Sequence, residues 1–194
     1  MTEDEVLAEF RAADALLEGH FILSSGLRSA RYLQCARVLM DGARGERLAQ
    51  ALAAKLPAEL RDSIDLVVSP AMGGVIIGHE MGRALGRPAV FVERPQGTFE
   101  LRRGFRIEQG QRVLLVEDVV TTGLSSREAI GAIEQAGGKV VGAVSLVDRS
   151  GGTADLGVLY MPLVRIDVPT YAAEAVPPEL AAIPATKPGS RAAA

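Results

Sequence analysis

Cysteine is nearly absent: Cys35 stands alone among 194 residues. An intrachain disulfide is therefore excluded. With only two histidines, His20 and His79, a Cys/His zinc site is not expected either. Long apolar runs are also missing. No window approaches the ~18 consecutive apolar residues of a membrane span, so none is indicated. The opening MTEDEVLAEF is acidic where a secretory signal would be basic. A cytoplasmic location is the expectation. Charge of one sign is in short supply too, since the formal net charge is only −3. Nothing here gives a general attraction to nucleic acid or to an anionic membrane, and neither is expected as a partner. Any anion must be held by local arrangement. No internal repeat or low-complexity tract interrupts the chain.

What is present fits one domain with a sizeable core, since 48% of the residues are hydrophobic. Apolar spacing predicts a helix over 3–17, through Val6, Leu7, Phe10, Ala13, Leu16 and Leu17. The stretch 20–34 reads as irregular, with Ser24-Ser25-Gly26 as turn punctuation. Helical spacing returns over 43–56. Short apolar runs at 65–69, 88–92, 112–116 and 139–147 then alternate with helices over 74–85 and 125–136. Strands of β-branched residues alternating with helices imply a mainly parallel sheet wrapped by helices, an α/β fold. The Pro/Ala-rich end from Pro177 closes on KPGSRAAA, and disorder is expected over 187–194.

The strongest signal is the run from Val113 to Ser126, VLLVEDVVTTGLSS. It reads as a buried strand ending in two carboxylates, then a hydroxyl- and glycine-rich turn, then a helix start. In open α/β sheets ligands bind beyond the carboxyl ends of the strands. A helix N-terminus at that place offers free N–H groups and the positive end of a dipole, which suits a phosphate. Thr121, Thr122, Ser125 and Ser126 add hydroxyl donors, and Gly123 lets the backbone come close. Glu117 and Asp118 repel phosphate. They can instead accept hydrogen bonds from sugar hydroxyls and attract a hydrated Mg²⁺. The lysine and spacing of a Walker A loop are absent. The bland reading is an N-capped helix after a strand, and a Ser125 to Glu128 capping pair would account for that part. It leaves the paired carboxylates beside four hydroxyls unexplained.

The run from Val113 to Ser126 resembles the 5-phosphoribosyl pyrophosphate (PRPP) signature of type I phosphoribosyltransferases. Three further segments, in the same order and spacing, resemble orotate phosphoribosyltransferases. They are Gly19 to Gly26 continuing to Cys35, Ser69-Pro-Ala-Met-Gly-Gly74, and Leu146-Val-Asp-Arg149-Ser-Gly-Gly152. The closing KPGSR resembles a bacterial subgroup. The resemblance implies a core at about 40–160 and a small hood built from about 18–36 and 160–186. It implies PRPP contacts at Glu117, Asp118, Val119, Val120, Thr121, Thr122, Gly123, Leu124, Ser125, Met72 and Gly73. It implies orotate contacts at Thr121, Arg149, Ser25, Tyr32 and Leu33. Mg²⁺ would be the cofactor, held mainly by PRPP and water and not by a dedicated protein ligand. A non-proline cis peptide is common in the pyrophosphate loop and would fall near Ala71-Met72.

The residues support the Arg149 assignment independently. Orotate differs from uracil by a ring carboxylate, and a guanidinium can hold a carboxylate through two parallel hydrogen bonds. The competing reading is a surface ion pair between Asp148 and Arg149. Two lysines common in the family are missing, replaced by Gly73 and Ser24. The segment 94–105 contains no lysine, although the family's mobile loop supplies one to the neighbouring subunit of a homodimer. Its cations and that of its flank are Arg94, Arg102, Arg103 and Arg106. Arginine does not readily give up a proton. The loop is therefore read as an electrostatic clamp, with Arg94, Arg102, Arg103 and Asp118 as the catalytic set. A solvated basic hairpin without chemistry is the plain alternative. The implied reaction transfers phosphoribose from PRPP to orotate. The alternatives are transfer to another base and a PRPP-sensing protein without turnover.

Overall fold

The computed structural model describes residues 1–23 and 26–187. Two sheets organise the chain. The larger has six strands in the order β5-β4-β3-β6-β7-β8. These are β3 (Leu66–Pro70), β4 (Ala89–Glu93), β5 (Glu100–Leu101), β6 (Arg112–Val120), β7 (Lys139–Asp148) and β8 (Tyr160–Arg165). All neighbours run parallel except β5, which turns back antiparallel on β4. The smaller sheet is antiparallel, in the order β1-β2-β9, from Leu16–Ile22, Arg28–Leu33 and Thr170–Tyr171.

Strand alternation explains why both faces of the large sheet are covered. Val67, Leu114 and Val116 point into one cluster, packed by α1 (Glu3–Ala12), α2 (Cys35–Leu39), α3 (Gly42–Lys55) and α5 (Gly74–Leu85). Between the last two lies α4 (Ala58–Ser63), which buries no residue. Leu66, Val68, Val113 and Leu115 point into the other cluster, packed by α6 (Leu124–Gln135). Two buried faces make these strands near-continuous apolar runs. The helix α5 approaches its strands closely through three small residues spaced by four. A Cβ at Gly74 would lie 3.0 Å from Val116 O, one at Gly78 2.5 Å from Ser69 Oγ, and one at Gly82 2.8 Å from Ala89 Cβ.

Several expectations are corrected. The first helix stops at Ala12, because Asp14 adopts a left-handed φ of 47°. Leu16 and Leu17 then pair with Leu33 and Tyr32 as strand residues. The stretch expected to be irregular is largely the β1–β2 hairpin. Residues 160–165, assigned to the hood by resemblance, are β8 of the large sheet, where Val164 pairs with Val147. The hood's C-terminal contribution begins later, with β9, the short α7 (Pro178–Ala181) and the bridge of Thr186 to Phe21. The expectation for 187–194 concerns residues that, Lys187 apart, lie outside those described, as do Ser24 and Ser25.

Candidate active site

The connections set the site. From β3 the chain first adds β4 on one side and then returns to place β6 on the other. The loops leaving β3 and β6 therefore diverge at a topological switch point, where open α/β sheets form a crevice. The loop after β3 carries the Ala71-Met72 peptide, which is cis. Met72 is 83% exposed there. The two loops touch through Gly73 and Asp118: a Cβ on Gly73 would lie 2.6 Å from a carboxylate oxygen of Asp118. Gly73 thus leaves the room that the Asp118 side chain occupies.

The paired carboxylates are not equivalent. The strand runs on to Val120, so Glu117 lies inside the sheet and is 6% exposed. Both carboxylates were expected at an open strand end, and Glu117 is not there. Ser126 Oγ donates to its Oε1 at 3.3 Å. Burial pushes the Glu117 carboxyl up to about 8, with help from the neighbouring Asp118 charge and against the Ser126 bond. Asp118 is half-buried, and burial raises its pKa too.

Beyond Val120 the turn opens to solvent. Thr121, Thr122, Leu124 and Ser125 are exposed, while Gly123 is buried with a φ of 75°. The expected Ser125 capping box does not form. Gly123 is the N-cap of α6 with no side-chain bond, and Glu128 instead pairs with Arg94. Thr122 Oγ1 accepts from Leu124 N at 3.4 Å, a long contact, while the next amides, of Ser125 and Ser126, carry no side-chain cap and leave the helix start able to take an anion. Arg127 fixes the turn from behind. Its Nη1 donates to Thr122 O at 3.2 Å and to Asp155 O at 2.7 Å. The turn is thereby tied to the loop that follows β7.

That second loop carries Arg149. Its backbone N donates to Val120 O at 2.8 Å, which places it beside the turn. The Asp148 carboxylate does not pair with Arg149. It accepts from Ser150 N at 2.8 Å and Ser150 Oγ at 2.6 Å, and lies 3.4 Å from Arg165 Nε. Arg149 Nε is buried without a hydrogen-bond partner in the described structure. Burial lowers the Arg149 pKa, opposed by Tyr32 and Cys35. A half-buried guanidinium with an unpartnered Nε invites an anionic acceptor.

A cavity of about 650 Å³ joins these parts. Thr121, Thr122 and Arg149 line it with Tyr32 of the hood. Ile22, Leu23 and Leu27 add an apolar wall, and Lys187 reaches it from the C-terminal segment. Leu33, expected as a contact, is 6% exposed in the core and does not line it. Ser25 lies outside the described residues. Arg94, Arg102 and Arg103 do not line the cavity. Arg94 pairs with Glu128 and sits 4.2 Å from the Phe99 ring centroid, while Arg103 binds Glu93 at 2.8 and 3.0 Å. The loop lies folded on its own chain through β5. Sequence reasoning missed Arg127, Ser150, Thr153 and Lys187 as site components. Lys187 did fall in the noticed KPGSR ending, but no spacing rule links that ending to residue 149.

The fold and crevice agree with a family match: the model described as the phosphoribosyl transferase domain fits residues 39–161. That is the class of protein. An orotate phosphoribosyltransferase of Rhizorhabdus wittichii is 74% identical over 193 residues, 100% of this chain and 98% of that protein. The solved orotate phosphoribosyltransferase of Aeropyrum pernix aligns with a TM-score of 0.68 and 27% identity, over 83% of this chain and 93% of that one. That of Mycobacterium tuberculosis, solved with inorganic phosphate, gives 0.62 and 26%, over 84% and 96%. The chain belongs to the orotate phosphoribosyltransferase family of enzymes.

Proposed function

We propose that this enzyme transfers the phosphoribosyl group of PRPP to orotate, releasing orotidine 5′-monophosphate and pyrophosphate in pyrimidine biosynthesis. One observation carries the reading. The hydroxyl-rich turn that opens α6, through Thr121 and Thr122, and Arg149, whose Nε has no partner, meet at a single cavity under the hood. The turn suits the 5-phosphate, and Arg149 suits the carboxylate that distinguishes orotate from other bases.

The residues divide the work as follows. Asp118 accepts hydrogen bonds from the ribose hydroxyls, and Glu117 supports it from within the strand. As the bond from ribose C1 to pyrophosphate breaks, the sugar gains positive charge and the leaving group gains negative charge. The Asp118 carboxylate favours the first change. The loop arginines Arg94, Arg102 and Arg103 favour the second once the loop leaves its present contacts. Loop closure also keeps water from the activated sugar. No group of three or more potential ligands gathers among the described residues. Asp118 beside Gly73 nonetheless fits a Mg²⁺ ion held mostly by substrate and water, the usual mode for this ion. When bound, Mg²⁺ supplies charge neutralisation on the pyrophosphate. A homodimer with loop 94–105 acting on the partner's site, in the cytoplasm, completes the proposal. No described helix is long and apolar enough to cross a membrane.

The test is an assay of orotate consumption with PRPP and Mg²⁺, run beside uracil and adenine. Rapid orotate loss with pyrophosphate release is expected. Turnover of another base in its place would sink the acceptor assignment, and PRPP binding without any turnover would point to a sensor.

A further inference from the structure

The C-terminal segment closes the hood through backbone bonds. Thr186 N donates to His20 O at 2.8 Å, and Ile22 N donates to Thr186 O at 2.7 Å. The buried His20 ring bonds Ile183 O through Nδ1 at 3.0 Å. These contacts hold residues 183–186 against β1, with Thr186 in one parallel bridge to Phe21. The next residue, Lys187, is thereby delivered to the wall of the cavity that holds Arg149 and Tyr32. The chain has three lysines, Lys55, Lys139 and Lys187. Lys55 donates to Pro162 O and Leu163 O, and Lys139 opens β7 at the end of the sheet opposite the site. Neither lines the cavity, whose lining among the described residues has Arg149 and Lys187 as its cations and no Asp or Glu. The described lining therefore carries a formal charge of +2, which favours an anion.

We propose that Lys187 is a second acceptor-binding cation, which with Arg149 holds the carboxylate of orotate. The inference rests on the function proposed above and adds a residue and an element to it. Arg149 is half-buried and can offer its fixed fork from the sheet side. Lys187 is exposed and offers a compact ammonium charge from the hood side. The site would thereby read the acceptor's charge from two directions, and a neutral pyrimidine would gain from neither.

The experiment compares wild type with Lys187→Gln and Lys187→Arg in steady-state turnover, varying orotate and PRPP separately. Lys187→Gln should raise the KM for orotate about fivefold, the scale of a partly solvated charge-assisted contact. Its KM for PRPP should stay within about twofold of wild type, and Lys187→Arg should recover most of the orotate affinity. An unchanged orotate KM overturns the proposal. So does a parallel loss of both substrates, which would make Lys187 part of the hood's framework. A rise confined to PRPP would assign it to the phosphate. If wild type itself does not use orotate, the functional reading fails first and this inference falls with it.

Discussion

At the scale of single residues, burial decides what each charged group is for. Glu117 is sealed in the strand with a carboxyl raised to about 8, far above the ordinary 4.5. An acid raised in the folded state holds its proton there more tightly than in the unfolded chain. Below about pH 4.5 both states are protonated and nothing is lost. From there to pH 8 the unfolded chain ionises first, so stability falls, and above 8 the loss is complete. Its ceiling is on the order of 5 kcal/mol. Glu117→Gln should therefore raise the melting temperature of the ligand-free protein at about pH 8.5 and change it little near pH 4.5. Equal gains at both values would mean that the carboxyl is ionised throughout. Arg149 makes the complementary case, with a buried donor that lacks a partner. Removing it by Arg149→Ala leaves the orotate carboxylate without a charge-assisted bond, about 1.5–3 kcal/mol. Orotate affinity should drop about tenfold or more by calorimetry, with PRPP affinity nearly unchanged. The opposite pattern would move Arg149 to the other substrate.

At the scale of elements, the site depends on how two loops are joined. Arg127 binds Thr122 O and Asp155 O, so the start of α6 and the loop after β7 share one side chain. Gly123 lies just beneath, where a Cβ would sit 3.0 Å from Arg127 Nη1 and 2.6 Å from Leu156 Cδ2. Arg127→Ala should raise KM for PRPP and for orotate together, several-fold each, while the protein stays folded with a loss of about 1–2 kcal/mol. Normal KM values with only the stability loss would show that the latch serves the fold and not the site. Much of this scale was legible in the sequence. The runs 66–70, 89–93 and 139–148 came out as strands within one residue of their expected bounds, since 66–70 and 139–148 are buried almost throughout and 89–93 is a short apolar run rich in valine and phenylalanine. The hood hairpin was missed. Its burial alternates imperfectly, with an irregularity between Glu18 and Phe21, so it carries no clean period-two signal.

At the scale of the whole molecule, the open question is where the loop after β4 acts. In this chain it is folded back, with Phe99 and Ile107 buried and Arg103 on Glu93. Exposed pairs of that kind are worth little, about 0–1 kcal/mol, so they release easily. Replacing Arg102 and Arg103 with Ala should lower the rate more than it weakens PRPP binding, because pyrophosphate gains charge only as it leaves. A closed two-fold dimer would let each loop serve the other site. Heterodimers of this loop variant with Asp118→Asn should then regain activity, since one of their two sites combines an intact pocket with an intact loop. Verified heterodimers without recovery would confine the loop to its own subunit.

The sequence by itself determined the alternating α/β order, the run from Val113 to Ser126 as a strand, a hydroxyl-rich turn and a helix start, and Arg149 as a cation just past a strand. Those are local properties, written in periodicity, turn chemistry and residue type. Only the tertiary structure decided that Glu117 is buried while Asp118 faces the Gly73 loop, that Asp148 turns to Arg165 and leaves Arg149 open, and that β8 belongs to the large sheet. It alone brought Lys187 to Tyr32 and Arg149, across more than 150 and nearly 40 positions of sequence. Burial and long-range pairing depend on which elements pack together, and local residue patterns do not encode that choice.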